Sequence, residues 1–146
     1  MKLVAAGMSD VGRERDHNED SYAVEDDLGL FIVADGMGGH PEGEVAAQIA
    51  LQSVSAMFQS HARPRLADAP SFLAQALLAA HRDIVRYAIN RNMMDSPRTT
   101  LVAAVVQGGK ATWVHCGDSR LYVVRESTLL NKTRDHSYAE HQGALP

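Results

Sequence analysis

Side chains able to do ionic chemistry gather in three short segments of the chain. Asp35 directly follows the apolar run Leu30-Phe31-Ile32-Val33-Ala34 and precedes Gly36-Met37-Gly38-Gly39. A carboxylate at the end of a rigid buried strand loses little freedom on binding a ligand, and glycines let backbone carbonyls approach an ion. Oxygen donors of this kind suit hard cations such as Mg²⁺ or Mn²⁺. Taken alone, Asp35 reads rather as the turn former of a strand–turn–helix junction. In the second segment, Arg15 stands four residues ahead of the adjacent carboxylates Glu19 and Asp20. A guanidinium fork suits phosphate oxygens, and carboxylates suit metals or the waters around them. A solvated loop with local ion pairs is the competing reading, and it is preferred for Arg13, Glu14 and Asp16. The third segment is His115-Cys116-Gly117-Asp118-Ser119-Arg120, where Asp118 is either a ligand or a turn cap. Taken alone, it reads as a cap.

The elements that must position these groups follow from periodicity. Leu3–Met8, Ser21–Val24 and Leu28–Ala34 read as strands, the last buried on both faces because it is continuously apolar. A first helix starts at Pro41 and carries an apolar stripe at Ala46, Ala50, Val54 and Met57, with Val45 and Ile49 beside it. A linker from Ser60 to Ala69 leads to a second helix over Pro70–Arg91, striped by Leu73, Ala76, Leu77, Ala80 and Ile84. Both stripes are read as core faces. Thr99–Gln107 and Lys110–Cys116 flank Gly108-Gly109, a two-residue hairpin signal. Leu121–Val124 is expected as the third strand of that meander. The order predicts an α+β fold with helices stacked on a largely antiparallel sheet, and residues 1–146 form one domain.

Bulk properties narrow the function classes. With 146 residues, 45% hydrophobic and 22% charged, the chain has the make-up of an ordinary globular domain. A net charge of −4 argues against a nucleic-acid partner. Cys116 is the single cysteine, so no intrachain disulfide forms, and its apolar flank predicts a core position. The short run Leu3–Met8 lacks the features of a secretory leader, and no stretch approaches the ~20 apolar residues of a membrane span. These features point to a cytoplasmic protein without a membrane partner.

Together the motifs carry a resemblance. Ser9-Asp10-Val11-Gly12 leading to Arg15 and Asn18-Glu19-Asp20, then Ala34-Asp35-Gly36-Met37-Gly38-Gly39, then Gly117-Asp118-Ser119-Arg120, resemble the PP2C (PPM-type) protein phosphatases, their bacterial branch above all. Arg98-Thr99-Thr100-Leu101 and Asp135-His136-Ser137 also sit where that family has similar signatures. The resemblance implies an α-β-β-α sandwich of antiparallel sheets flanked by helices, with two or three Mn²⁺ or Mg²⁺ ions at one end. It implies that Asp35 bridges two metals, that the Gly36 carbonyl ligates one, and that Asp118 serves an additional site. Glu19 and Asp20 would hold waters in the surrounding layer, and Arg15 would bind the substrate phosphate. The implied reaction is hydrolysis of phosphoserine and phosphothreonine, with phosphorylated proteins, a cognate kinase among the candidates, as partners.

The sequence departs from the family at two points. The Ser-Asp-Gly and Asp-Asn motifs of the family's C-terminal half, whose aspartates ligate metal, do not occur here, so the domain is expected to be incomplete and to leave apolar sheet surface exposed. Met37 replaces a histidine found in animal members and has no proton to donate. His40 reads as a capping or surface residue, and His136 and His141 read as loop residues rather than a zinc pair. The alternative function is a non-catalytic phosphoprotein-binding module that keeps Arg15 without turnover. A nucleotide-phosphate loop at Gly36–Gly39 lacks the Lys-Ser/Thr pair and the glycine spacing it would need.

Overall fold

The run Leu30–Ala34 does form the strand its composition demands, and the rest of the fold is built around it. The computed structural model describes residues 3–10, 18, 20–25, 29–37, 42–62 and 65–136. Strands β1 (Asp20–Glu25), β2 (Leu30–Asp35), β3 (Leu101–Gln107) and β4 (Lys110–Cys116) form one sheet in the order β1-β2-β3-β4, with every neighbouring pair antiparallel. Helices α1 (Gly43–His61) and α2 (Ala69–Asn90) lie between β2 and β3 in the chain. A separate two-stranded ribbon joins β5 (Tyr122–Arg125) to β6 (Thr128–Lys132).

Both helices cover the same face of the sheet. Leu30, Ile32 and Ala34 of β2 and Leu101, Ala103 and Val105 of β3 point into a core shared with Val54 and Phe58 of α1 and Phe72, Leu73 and Ala76 of α2. The alanines Ala46, Ala47 and Ala50 are fully buried and let α1 approach the sheet closely. Phe58 and Phe72 meet edge to face with ring centroids 5.9 Å apart, a favoured aromatic geometry. Asp68 caps α2 by accepting a hydrogen bond from the Ser71 amide at 3.0 Å. The Gln107 side chain exchanges two hydrogen bonds with the Leu66 backbone, at 3.1 and 2.9 Å, and so ties the interhelix segment to the end of β3.

The hairpin between β3 and β4 forms where expected, with Gly108 and Gly109 at φ 57° and 74°, the left-handed values such a turn needs. Five expectations are corrected. The strand around Leu30–Ala34 is buried on its helix-facing side and not on both, with Val33 48% exposed. Leu3–Met8 is not a strand: it has no ladder partner among the described residues, and Gly7 instead lies against the Tyr22 ring, where a Cβ would come within 2.2 Å of Cε2. The segment after β4 does not continue the meander. The Leu121 amide bonds to the Thr133 hydroxyl and the Thr133 amide to the Leu121 carbonyl, both at 3.0 Å, so β5 pairs with β6 and leaves the first sheet. Cys116 is exposed rather than in the core, because it ends the edge strand β4. The first helix begins at Gly43, with Glu42 in a left-handed conformation at its N-cap, and it runs on through His61 into the expected linker. Pro41, the expected start, lies outside the described residues, as do Arg13, Glu14, Arg15, Asp16, Glu19, His40, Ser137 and His141.

Candidate metal centre

Register places two of the expected acids opposite each other. Asp20 opens β1 and Asp35 closes β2, and they are direct partners in the antiparallel pair. Side chains alternate along a strand, and Leu30, Ile32 and Ala34 face the helices, so Asp35 and its partner Asp20 emerge on the opposite face. Cross-strand partners hold their Cβ atoms about 4.5–5.5 Å apart, and like charges there are unfavourable without a counter-charge. The Asp20 amide donates to Asn18 Oδ1 at 2.9 Å, and the Asn18 side-chain amide donates to Ser9 Oγ. This gives the polar residues around the start of β1 a common anchor.

The end of β2 is clamped from the β3 side. The Met37 amide donates to the Arg98 carbonyl and the Thr100 amide to the Asp35 carbonyl, each at 2.9 Å, around the isolated bridge Gly36–Thr99. In an antiparallel pair flanked in this way, the N–H and C=O of the central residues point away from each other. The Gly36 carbonyl therefore turns from Thr99 toward the β1 side, where Asp20 stands. The remaining ladder bond is diverted: the Asp35 amide donates to the Thr100 hydroxyl, at 3.0 Å. Thr100 Oγ1 also bonds Ser119 Oγ, so the end of β2 is linked to the Gly117–Arg120 turn.

That turn has its own supports. Gly117 sits at φ +101°, and a Cβ there would lie 2.8 Å from Thr100 Cγ2, so glycine is required on both counts. Its amide donates to His136 Nδ1 at 3.2 Å, and the His136 amide donates to the Gly117 carbonyl at 2.9 Å. His136 stacks on His115 with centroids 4.4 Å apart, and His115 Nε2 bonds the Arg134 carbonyl at 2.8 Å. Arg120 grips Asp135 through two parallel hydrogen bonds, at 3.0 and 2.8 Å, and reaches the Tyr122 hydroxyl at 3.3 Å. Those hydrogen bonds from Arg120 hold the Asp135 carboxyl below its ordinary value, and Asp135 in turn pushes the Arg120 guanidinium up. Arg120 and Asp20 line one groove of about 360 Å³ on the face away from the helices, along with Gly7, Ser9, Tyr22 and Val33.

Of the expected site residues, the structure brings Asp20, Asp35 and Gly36 together. Asp118 is exposed, its carboxylate makes no hydrogen bond with a described residue, and the capping role read from the sequence alone is therefore not seen. Among the described residues no three acidic, histidine or cysteine side chains gather into one ligand group, so Asp118 does not join the Asp20–Asp35 pair. Arg15 and Glu19 lie outside the described residues. The donors that do converge are all oxygens, from a carboxylate pair and a glycine carbonyl, which fits Mg²⁺ or Mn²⁺ in kind. Thr100 and Ser119 were missed as parts of the site. The signal available was that Thr100 and Ser119 each lie within one of the short motifs that carry the family resemblance.

The chain is similar to known proteins in sequence and in fold. The family model described as protein phosphatase 2C matches residues 11–144. The serine/threonine phosphatase stp of Listeria welshimeri is 36% identical over 133 residues, covering 88% of this chain and 53% of its own length. PstP, a serine/threonine protein phosphatase of Mycobacterium tuberculosis, is 33% identical over 136 residues, 92% of this chain and 25% of its own. The crystal structure of the PstP catalytic domain in complex with two manganese ions superposes with a TM-score of 0.78 at 32% identity, covering 94% of this chain and 57% of that one. Stp1 of Staphylococcus aureus superposes with a TM-score of 0.82 at 27% identity, covering 99% of this chain and 59% of that one. The chain thus spans about half the length of the Listeria relative it matches. No helix among the described residues is long and apolar enough to cross a membrane.

Proposed function

This chain belongs to the protein phosphatase 2C family, and from that premise we propose that it carries the Asp35-centred cation site of an enzyme hydrolysing phosphoserine and phosphothreonine on proteins. The observation that carries the reading is the end of β2, where Asp35 faces Asp20 across the strands and the Gly36 carbonyl turns toward the same side. Asp35 and the Gly36 carbonyl would hold Mn²⁺ or Mg²⁺ there, and Asp118 would serve an additional ion. The two manganese ions in the PstP crystal structure support the choice of metal class. Such cations supply an acidified water for in-line attack on phosphorus and offset the charge of the phosphoryl oxygens.

The chain's own groups do the positioning. Glu19 and Asp20 would orient water beside the cations, and Arg15 would bind the substrate phosphate through its planar fork. The water oxygen bonds phosphorus as the P–O ester bond breaks, and the serine or threonine oxygen leaves with a proton from a water or from His40, since Met37 has none to give. No side-chain nucleophile is required. The substrates are phosphorylated proteins, a cognate kinase among them, in the cytoplasm. The net charge of −4 agrees with a partner other than nucleic acid.

The test is release of phosphate from a phosphothreonine peptide with added Mn²⁺. Turnover should stop with EDTA and fall at least a hundredfold in Asp35→Asn. Retention of the phosphopeptide by the folded, Mn²⁺-loaded chain without release of phosphate would overturn the reading in favour of a phosphoprotein-binding module.

A further inference from the structure

The polar side chains that are buried among the described residues are two threonines, Thr100 and Thr133, at 3% and 6% exposure. They are used in the same way. Each donates its own amide to a partner's carbonyl, Thr100 to Asp35 and Thr133 to Leu121, and each hydroxyl takes that partner's amide where a ladder carbonyl would ordinarily accept it. A hydroxyl has a second hydrogen-bonding capacity that a carbonyl in a sheet lacks, because it donates as well as accepts. Thr100 Oγ1 also shares a hydrogen bond with Ser119 Oγ, in which either hydroxyl can be the donor. An unbroken path therefore runs from the Asp35 amide through two hydroxyls to the residue beside Asp118.

We propose that Thr100 is a positioning residue for the cation site, its hydroxyl fixing the backbone of Asp35 and coupling it through Ser119 to the Asp118 turn. This rests on the reading of Asp35 as a cation ligand. Removing the Thr100 hydroxyl leaves the Asp35 amide and Ser119 Oγ each short of a partner at a half-buried location, and the strand end relaxes to find others. Residues that orient a metal ligand rather than touch the metal commonly change affinity about 10–100-fold when replaced. Gly117 leaves the room that the Thr100 methyl group occupies, since a Cβ there would lie 2.8 Å from Thr100 Cγ2.

The experiment compares wild type, Thr100→Val, Thr100→Ser and Asp35→Asn by Mn²⁺ titration and by amide hydrogen exchange at Asp35 without metal. Thr100→Val, which keeps the shape and removes the hydroxyl, should exchange the Asp35 amide at least tenfold faster and bind Mn²⁺ at least tenfold more weakly. Thr100→Ser, which keeps the hydroxyl, should restore both to within about threefold of wild type. Wild-type exchange and affinity in Thr100→Val would overturn the proposal. If Asp35→Asn binds Mn²⁺ as wild type does, the cation reading of Asp35 fails instead, and the exchange rates alone then decide whether Thr100 fixes that strand end.

Discussion

The two faces of the β1–β4 sheet are built to different rules. The helix-covered face is apolar and closed: Leu30, Ile32, Leu101 and Val105 are each at most 3% exposed beneath α1 and α2. The other face mixes apolar and ionic groups, with Tyr22 and Val33 nearly half exposed, Asp20 and Asp35 at one end, and the Arg120 side chain over the groove. The first face contributes stability by burial, at about 25 cal/mol per Å² of apolar area. The second carries the acids proposed to bind cations. The site lies where one rule gives way to the other, because β2 belongs to both. Its even residues lock it into the core, and its odd residues deliver Phe31, Val33 and finally Asp35 to the opposite side. Asp35 is thereby carried by a strand whose inward residues are locked in the core.

This contrast can be broken or sharpened by substitution. The largest effect is expected from Phe58→Ala, which removes an aromatic ring from the closed face and should cost about 3–5 kcal/mol in urea unfolding. The matching change on the open face, Val33→Ala, should stay within about 0.5 kcal/mol. An equal cost for the two would erase the distinction. Gly117→Ala forces a Cβ into Thr100 at a left-handed φ and should lose about 1–3 kcal/mol, visible as a lowered thermal midpoint. Asp68→Ala removes the α2 cap and should lose about 1 kcal/mol by the same measurement.

The smallest effect concerns pH. Arg120 depresses the Asp135 carboxyl below the ordinary 3.8. As pH falls, the unfolded chain protonates this group first, so its contribution is complete above that value and is lost on further acidification through the depressed folded value. Both side chains meet solvent, so the effect is small. Urea midpoints of wild type and Asp135→Asn should differ at pH 7 and converge as acid protonates Asp135. A gap that widens in acid would show that another group governs this part of the ribbon.

Much of the closed face is legible in the sequence, because burial imposes periodicity on nearby residues. The stripes of α1 and α2, the run Leu30–Ala34 and the Gly108-Gly109 turn all follow from local pattern. Asp35 stands out for the same reason, as the residue that ends an apolar run before glycines. The rest depends on which strand meets which. Leu121–Val124 reads as a strand whichever sheet it joins, and only its exchange with Thr133 places it in the ribbon. Leu3–Met8 is apolar enough for a strand but finds no ladder among the described residues. The opposition of Asp20 and Asp35 is a matter of register, and the diversion of the Asp35 amide to a threonine hydroxyl has no local pattern at all. Cys116 deceived for a related reason, since an apolar flank predicts burial only when the strand has neighbours on both sides.

Membership in the protein phosphatase 2C family gives the end of β2 its meaning, and binding of Mn²⁺ there is the most direct test. Electron paramagnetic resonance of free Mn²⁺, titrated with wild type, Asp35→Asn and Val33→Ala, separates the carboxylate from the face that carries it. The free-ion signal should be depleted by wild type and by Val33→Ala, and restored with Asp35→Asn. Equal depletion by Asp35→Asn and wild type would contradict a cation site at the end of β2.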